Sequence, residues 1–345
     1  MKGVMKIRCA LVLVLLLVFG IAAADAAYTP ILPEGAEKVP MLGEFTRMDA
    51  ADFTFALVSD RTGIGEVGVM ERAAALINAK DVAFTMNVGD LIEGYTKDAA
   101  LLRDEYAELD QELGALDAPF FFVAGNHDLS CDEMYEYYVS HRGAPYYAFR
   151  YGEALFLMLN TEDPSFGFDE EMEEQLAQLV TLARHDYAQA EVILKGWMAE
   201  MGETEGGDAE AAQPESGRFS EAQMAFVEKA LADNQDVQWT FVSLHKPAWE
   251  NDESGWARIS EALDGRNYTV FNGHYHYLKK TVRDSMNYIQ LGRTGGSFHR
   301  EGDGDIQHIS LVSLQGGIPT ITFETLDGKM LTVDEIETID YSYVH

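Results

Sequence analysis

The stretch Phe121–Leu129 reads FFVAGNHDL and places an amide, an imidazole and a carboxylate (Asn126, His127 and Asp128) directly after an apolar run. Leaving such groups buried without partners costs about 1–3 kcal/mol each, so a core gains nothing from them. A site that holds a cation or moves a proton needs them. Four other stretches have the same plan. FTFALVSDRTG (Phe53–Gly63) ends in Asp60, VAFTMNVGDLIEG (Val82–Gly94) in Gly89-Asp90, VQWTFVSLHKPAW (Val237–Trp249) in His245, and YTVFNGHYHY (Tyr268–Tyr277) in Gly273-His274-Tyr275-His276. The apolar runs have the length and composition of buried strands, and in open α/β sheets ligands bind beyond the carboxyl ends of strands. Five strand ends carrying three Asp, one Asn and four His make a metal site the economical reading. Taken one at a time, each could be only a polar turn.

In this order the motifs resemble those of the calcineurin-like metallophosphoesterases: Asp-x-His, Gly-Asp, Gly-Asn-His-Asp/Glu, a lone His, then Gly-His-x-His. The resemblance runs from about Phe53 to Thr325. It implies an α/β (α+β) four-layer fold, two facing mixed β-sheets flanked by helices, with the metals at one end. It also implies two divalent ions about 3.5–4 Å apart, with Asp90 as the bridge. Asn126, His245 and His274 would complete the second metal, and Asp60 and His276 would hold the first. On extended backbone His274 and His276, two apart, project the same way. His127 is similar to the family's catalytic histidine, which faces the leaving-group oxygen, and Asp128 would orient it. The implied reaction is hydrolysis of a phosphate ester by attack of a metal-bound hydroxide, with His127 protonating the departing oxygen.

One position departs from the family pattern. The first motif is Asp60-Arg61-Thr62, where Asp-x-His is expected. A hydroxyl is a much poorer ligand than an imidazole, so the first metal would keep Asp60, Asp90 and His276, with water or Thr62 filling the rest. Losing a nitrogen favours oxygen-tolerant ions. Mn²⁺ is therefore expected first, with Mg²⁺, Fe, Zn or Ca²⁺ as alternatives. Ser-Asp-Arg-Thr-Gly at 59–63 also resembles a variant in some bacterial members. Arg61 is either a phosphate clamp or a surface residue of the loop. The second functional reading is a non-catalytic metal or phosphate binder with an incomplete first site. A protein phosphatase is the third, but nothing marks a peptide groove.

The N-terminus has the layout of a secretory signal peptide: Lys2, Lys6 and Arg8, then the apolar ALVLVLLLVFGIAAA. Residues 1–24 are expected to be removed, leaving 25–345 as one metallophosphoesterase domain in the bacterial periplasm or medium. An uncleaved anchor is the alternative, though the run is shorter than the ~20 residues of a membrane span. Cleavage removes Cys9 and leaves Cys131, which cannot form an internal disulfide and reads as a buried thiol. The formal net charge is −33, and a leader with three bases and no acid leaves −36 after cleavage. Such a chain gains nothing from the counterion release that drives nucleic-acid binding. It is also a poor match for anionic membranes, so a small phosphorylated substrate is the expected partner.

Between the motifs, 28–48 reads as an extended lead-in and 66–80 as a helix completing a βαβ unit, since Asp60 and Asp90 are thirty residues apart. Helices are also expected at 96–116, 134–141 and 220–234. The helix at 134–141 would end with His141 as a C-terminal cap, and Ser220 with Gln223 signals a capped start. A hairpin is expected at 146–160. An acidic insertion spans about 163–218, helical over 168–201 and mobile over 202–217. It is either a lid over the site or a solvated decoration. The strands at 277–283, 286–291, 306–314 and 320–325 are assigned to the second sheet. GRTGGS at 292–297 reads as a glycine-rich turn.

Overall fold

The computed structural model describes residues 27–46, 50–165, 167–201 and 217–340. The expected signal peptide, and the acidic loop up to residue 216, lie outside the described residues. In chain order the elements are β1 (Tyr28–Ile31), β2 (Met41–Leu42), β3 (Phe53–Leu57), α1 (Val69–Asn78), β4 (Phe84–Met86), α2 (Ala99–Leu113), β5 (Phe120–Phe121) and α3 (Asp132–His141). β6 (Tyr147–Tyr151), β7 (Ala154–Met158), α4 (Glu170–Ala183), α5 (Tyr187–Met201), α6 (Glu221–Asp233), β8 (Trp239–Ser243), α7 (Trp256–Leu263) and β9 (Tyr268–Asn272) follow. The chain closes with β10 (Lys279–Arg283), β11 (Met286–Gln290), β12 (His308–Gln315), β13 (Ile318–Thr325), β14 (Met330–Thr332) and β15 (Thr338–Asp340).

Two mixed sheets result, ordered β14-β13-β12-β3-β4-β5-β2 and β1-β6-β7-β8-β9-β11-β10-β15. Side chains alternate along β3 as the two-residue period requires. Phe53, Phe55 and Leu57 enter the layer between the sheets, while Ala56 and Val58 face α1 and α2. The middle layer is aromatic: Phe55 and Phe84 of one sheet meet Phe156 of the other, each at a centroid separation of 5.2 Å. Helices α6 and α7 cover the outer face of the second sheet. The four-layer α/β architecture read from the sequence is the one observed.

β3, α1 and β4 form the expected βαβ unit, with Leu57 paired in parallel to Met86, so Asp60 and Asp90 leave neighbouring strands on the same side. The hairpin is β6–β7. His141 ends α3 with Nδ1 2.9 Å from the Tyr137 carbonyl, as a C-terminal cap would. Ser220 caps α6 by accepting from the Gln223 N–H at 3.2 Å. Three expectations need correction. The lead-in carries β1 and β2, one in each sheet. β5 stops after two residues because the Asn87 side chain takes the place of the ladder, accepting from the Val123 N–H at 2.7 Å and donating to its carbonyl at 2.9 Å. The late strands do not share a sheet: β10 and β11 extend β9, whereas β12 and β13 join β3.

Helix α2 buries Glu105, which accepts from the Gly94 N–H at 3.0 Å. Burial pushes its pKa up to about 8. The folded state therefore favours the protonated acid. That contribution is complete below the unfolded value near ~4.3 and is lost as pH rises through about 8. Between pH 5 and pH 9 Glu105 should remove up to about 4 kcal/mol of stability. Urea titrations at the two pH values should show a smaller decline in Glu105→Gln; equal declines would exclude Glu105 as the group.

Candidate metal centre

Asp60 and Asp90 are 0% and 2% exposed, and each is held by backbone donors. The His274 N–H donates to Asp60 Oδ1 at 2.9 Å, and the His127 N–H to Asp90 Oδ1 at 2.9 Å. The Ser59 hydroxyl also donates to Asp60. Around this pair His245 presents Nε2 at 2.9 Å from Asp90 Oδ2 and 3.0 Å from Asn126 Oδ1. Its Nδ1 faces the Val88 carbonyl at 2.9 Å, a bond that fixes the tautomer and frees Nε2 as a ligand. His276 repeats the arrangement, with Nδ1 2.7 Å from the Ser297 carbonyl and Nε2 3.3 Å from Asp60 Oδ1. One ligand atom each from Asp90, His245 and His274 lies within 4.8 Å of the others.

Burial alone would raise both carboxyls. The neighbouring histidines outweigh it and hold Asp60 and Asp90 below the usual carboxylate range, His276 first for Asp60 and His245 first for Asp90. Burial pulls His245 down, but Asp90 and then Asp60 push it up to about 9. Two buried carboxylates with an imidazole and an amide oxygen converging on one point form a donor set for a hard or borderline cation. The residues fit divalent metal.

The structure brings together Asp60, Thr62, Asp90, Asn126, His127, His245, His274 and His276. Four sequence expectations change. Asp128 does not orient His127: its Oδ2 accepts from the Asp90 and Gly125 N–H groups at 2.9 and 2.8 Å. Burial and then the Asp90 charge push Asp128 up to about 7. His127 is instead set by the Glu93 carbonyl, 2.6 Å from its Nδ1. Arg61 is neither a phosphate clamp nor a free surface residue, because it grips Glu112 with Nε and Nη2, both at 2.7 Å. The Thr62 hydroxyl donates to the Asp90 carbonyl at 3.3 Å. His274 and His276 are not on extended backbone. β9 ends at Asn272, and both adopt left-handed conformations, φ 76° and 49°.

Three features escaped sequence reading. Tyr95 accepts from the Asn126 amide at 2.9 Å, which turns the amide oxygen toward His245. The GRTGGS turn is the support for Asp60: the Thr294 and Gly296 N–H groups donate to the Asp60 carbonyl at 2.9 and 3.0 Å. His299 stacks on His276 with ring centroids 3.8 Å apart. Burial, then the charge of His276, hold its imidazole well below the usual range. An imidazole three residues beyond a Gly-Gly pair near the other motifs was the available signal for it.

The helical insertion α4–α5 is anchored to the site. Leu179 and Ala190 pack on Ile64 in the loop after Asp60. Glu173 Oε1 accepts from the Thr96 hydroxyl and the Lys97 N–H at 2.9 and 3.0 Å, and Lys195 lies 4.0 Å over the Phe298 ring. The insertion is thus packed against the loops that carry the site.

Two facing mixed sheets with carboxylates and imidazoles gathered at their strand ends define a metal-binding α/β fold of the phosphoesterase type. The chain matches the calcineurin-like phosphoesterase family over residues 53–278 and belongs to it. No curated protein sequence matches it. Among solved structures it is similar to a dimetal phosphatase from Danio rerio at 16% identity and TM-score 0.55, over 83% of this chain and 99% of that one. It is also similar to GAP50 of Plasmodium, the anchor in the inner membrane complex, at 13% identity and TM-score 0.48, covering 84% and 90% of the two chains. For a putative 5'-nucleotidase from Staphylococcus aureus the values are 15% and 0.41, with 85% and 56% covered.

Glycine is required beside the ligands. A methyl on Gly125 would lie 2.2 Å from Asp90 Oδ1 and 2.7 Å from the His245 ring, and Gly89 turns at φ 106°. Gly125→Ala should therefore weaken divalent metal binding at least tenfold while circular dichroism stays native. Unchanged metal content after dialysis would show that the donors do not converge as described.

Proposed function

We propose that the protein is an exported, metal-dependent phosphoric ester hydrolase acting on small phosphorylated substrates. The observation that carries this reading is the convergence of Asp90, His245 and His274 beside the Asp60–His276 pair, in a chain of a phosphoesterase family. Asp90, Asn126, His245 and His274 would hold one ion; Asp60, Asp90 and His276 would hold the other. When bound, the ions supply Lewis acidity, acidifying a water nucleophile and neutralising charge on the phosphoryl oxygens.

The chain's own residues set the rest. The Glu93 carbonyl accepts a hydrogen bond from Nδ1–H of His127, so a proton carried on Nε2 is the one that can pass to the leaving oxygen. Tyr95 holds the Asn126 amide in register. The Val88 and Ser297 carbonyls keep His245 and His276 from rotating. Export rests on the composition of residues 1–24, and an N-terminus at residue 25 or 27 in the protein recovered outside the cytoplasm would support it.

The first metal has one imidazole fewer than the family pattern, and the Thr62 hydroxyl is already used on Asp90. Binding should therefore be tight at the second site and weak at the first. Hydrolysis of p-nitrophenyl phosphate should vanish with a chelator and return better with Mn²⁺ than with Zn²⁺. Two zinc ions surviving dialysis would contradict this ligand set, and metal binding without any turnover would favour the non-catalytic reading.

The role of His127 is tested through the leaving group. An alkoxide is a strong base and must be protonated as the bond breaks, whereas nitrophenolate leaves largely unaided. His127→Ala should lose about 10²–10⁴ in rate on an alkyl phosphate and clearly less on the nitrophenyl ester, with bound metal retained. Equal losses accompanied by metal depletion would make His127 a ligand instead.

A further inference from the structure

Beyond His127 the insertion encloses a cavity of about 860 Å³ between α4–α5 and the segment Glu93–Asp98. His127 lines one wall, so the cavity opens on the side where a leaving group would depart. Its other walls are of two kinds. Ile64, Leu101, Leu176 and Val180 supply apolar surface, and Glu93, Asp98, Glu105, Glu170, Glu173 and Glu174 supply carboxyl groups. Among the described lining residues the one permanent cation is Arg184, and Glu108 holds it at 3.1 Å. His127 and His185 are the other basic side chains among the described lining residues.

Most of these acids have structural work. Glu93 accepts from the N–H groups of Gly63, Ile64 and Gly65, and Asp98 caps α2. Glu105 is different. It is 8% exposed, and Oε2 accepts from Gly94, while Oε1 has no hydrogen-bond partner among the described residues. That carboxyl is protonated below about 8, and a cation seated beside its idle oxygen would favour the ionised form and take the place of the proton. Tyr95 adds an aromatic ring to the same lining, a surface that attracts ammonium groups.

We propose that this cavity receives the leaving group of the substrate and that the leaving group is an organic cation, an amino or quaternary ammonium alcohol esterified to phosphate. The inference rests on the hydrolase reading above. In the reaction the bond between phosphorus and the alcohol oxygen breaks, water adds to phosphorus, and His127 returns a proton to the alkoxide, giving the cationic alcohol and inorganic phosphate. Anionic alcohols, such as phosphorylated sugars or nucleosides, would meet the acidic wall without a free base to pair them.

Choline phosphate and its uncharged isostere 3,3-dimethylbutyl phosphate differ only in the charge of the leaving group. With the Mn²⁺-loaded protein, kcat/KM for release of the alcohol should be at least tenfold higher for choline phosphate, or for its methyl diester if only diesters turn over. Glu105→Gln should bring the ratio toward one. So should Glu174→Lys, at an exposed position of α4 where the substitution does not threaten the fold. Turnover of both isosteres with equal rates, or a preference for the neutral one, would overturn the cavity assignment and leave the hydrolase reading intact. If no ester is hydrolysed, the hydrolase reading fails, and calorimetric titration of choline decides the cavity alone. Saturable binding of one choline, weakened at least fivefold in both variants, supports it; no binding overturns it.

Discussion

Two carboxylates with no access to water, Asp60 and Asp90, sit at the ends of neighbouring parallel strands. Like charges at close quarters in a low-dielectric interior repel, and burial penalises each further. The surrounding structure answers that constraint. Backbone donors from the His127 and His274 turns reach them, and His245 and His276 face them with Nε2. Asp90 and then Asp60 push His245 up against the pull of burial, so the site favours a positive charge at the place where a metal would take over from that proton. Asp128 shows the opposite outcome three residues beyond Gly125. It accepts two N–H bonds but has no cation of its own, and it rises to about 7. The same residue type is thus a metal donor or a strut according to what its oxygens face.

Convergence of this kind needs backbone that ordinary residues avoid. Asp90, His274 and His276 all have positive φ, at about 1–2 kcal/mol each for a residue with a Cβ. The strain persists because hydrogen bonds over-determine each turn. Asp90 is held through its N–H by Asp128 and through its carbonyl by Arg61 and Thr62. His276 is held through its ring by Ser297.

The strand ends and their ligands were legible from the chain because buried strands and glycine turns write a local pattern: an apolar run, a Gly, a polar group. The βαβ unit and the capped helices were legible for the same reason. What escaped was non-local. Asp128 lies next to His127 in sequence, yet the turn at Asn126–Asp128 points the two side chains at different partners. The two hydrogen bonds from Arg61 to Glu112 span fifty-one positions, so adjacency to Asp60 gave a false lead. β10 and β11 follow β9 directly, and only the pairing of β12 with β3 shows that the chain has crossed to the other sheet. Tyr95 carries no motif around it and His299 only the nearby Gly-Gly pair; the folded positions of Asn126 and His276 give them meaning.

The bases near the site are occupied in one consistent way. Arg61 is bound to Glu112 and lies near Glu108, which also takes Arg184 from the end of α4. Arg293 is bound to Asp305 at 2.7 Å and Lys246 to Glu162 at 3.2 Å. Each pair ties two parts of the structure together, and the Arg61–Glu108–Arg184 chain links the loop after Asp60 through α2 to the insertion. The cost falls on phosphate recognition. A guanidinium committed to a carboxylate cannot also grip a phosphoryl oxygen bidentately, and the field of a chain with net charge −33 repels the ester as it approaches. On the proposed reading, the positive charge that draws a phosphate into this centre would come from metal at Asp60, Asp90 and the histidines. This makes the acidic surface and the metal requirement two sides of one design. On the proposed reading the insertion can crowd the leaving-group side with carboxyls, because that wall would meet the alcohol while the phosphoryl group would stay with the metal ligands.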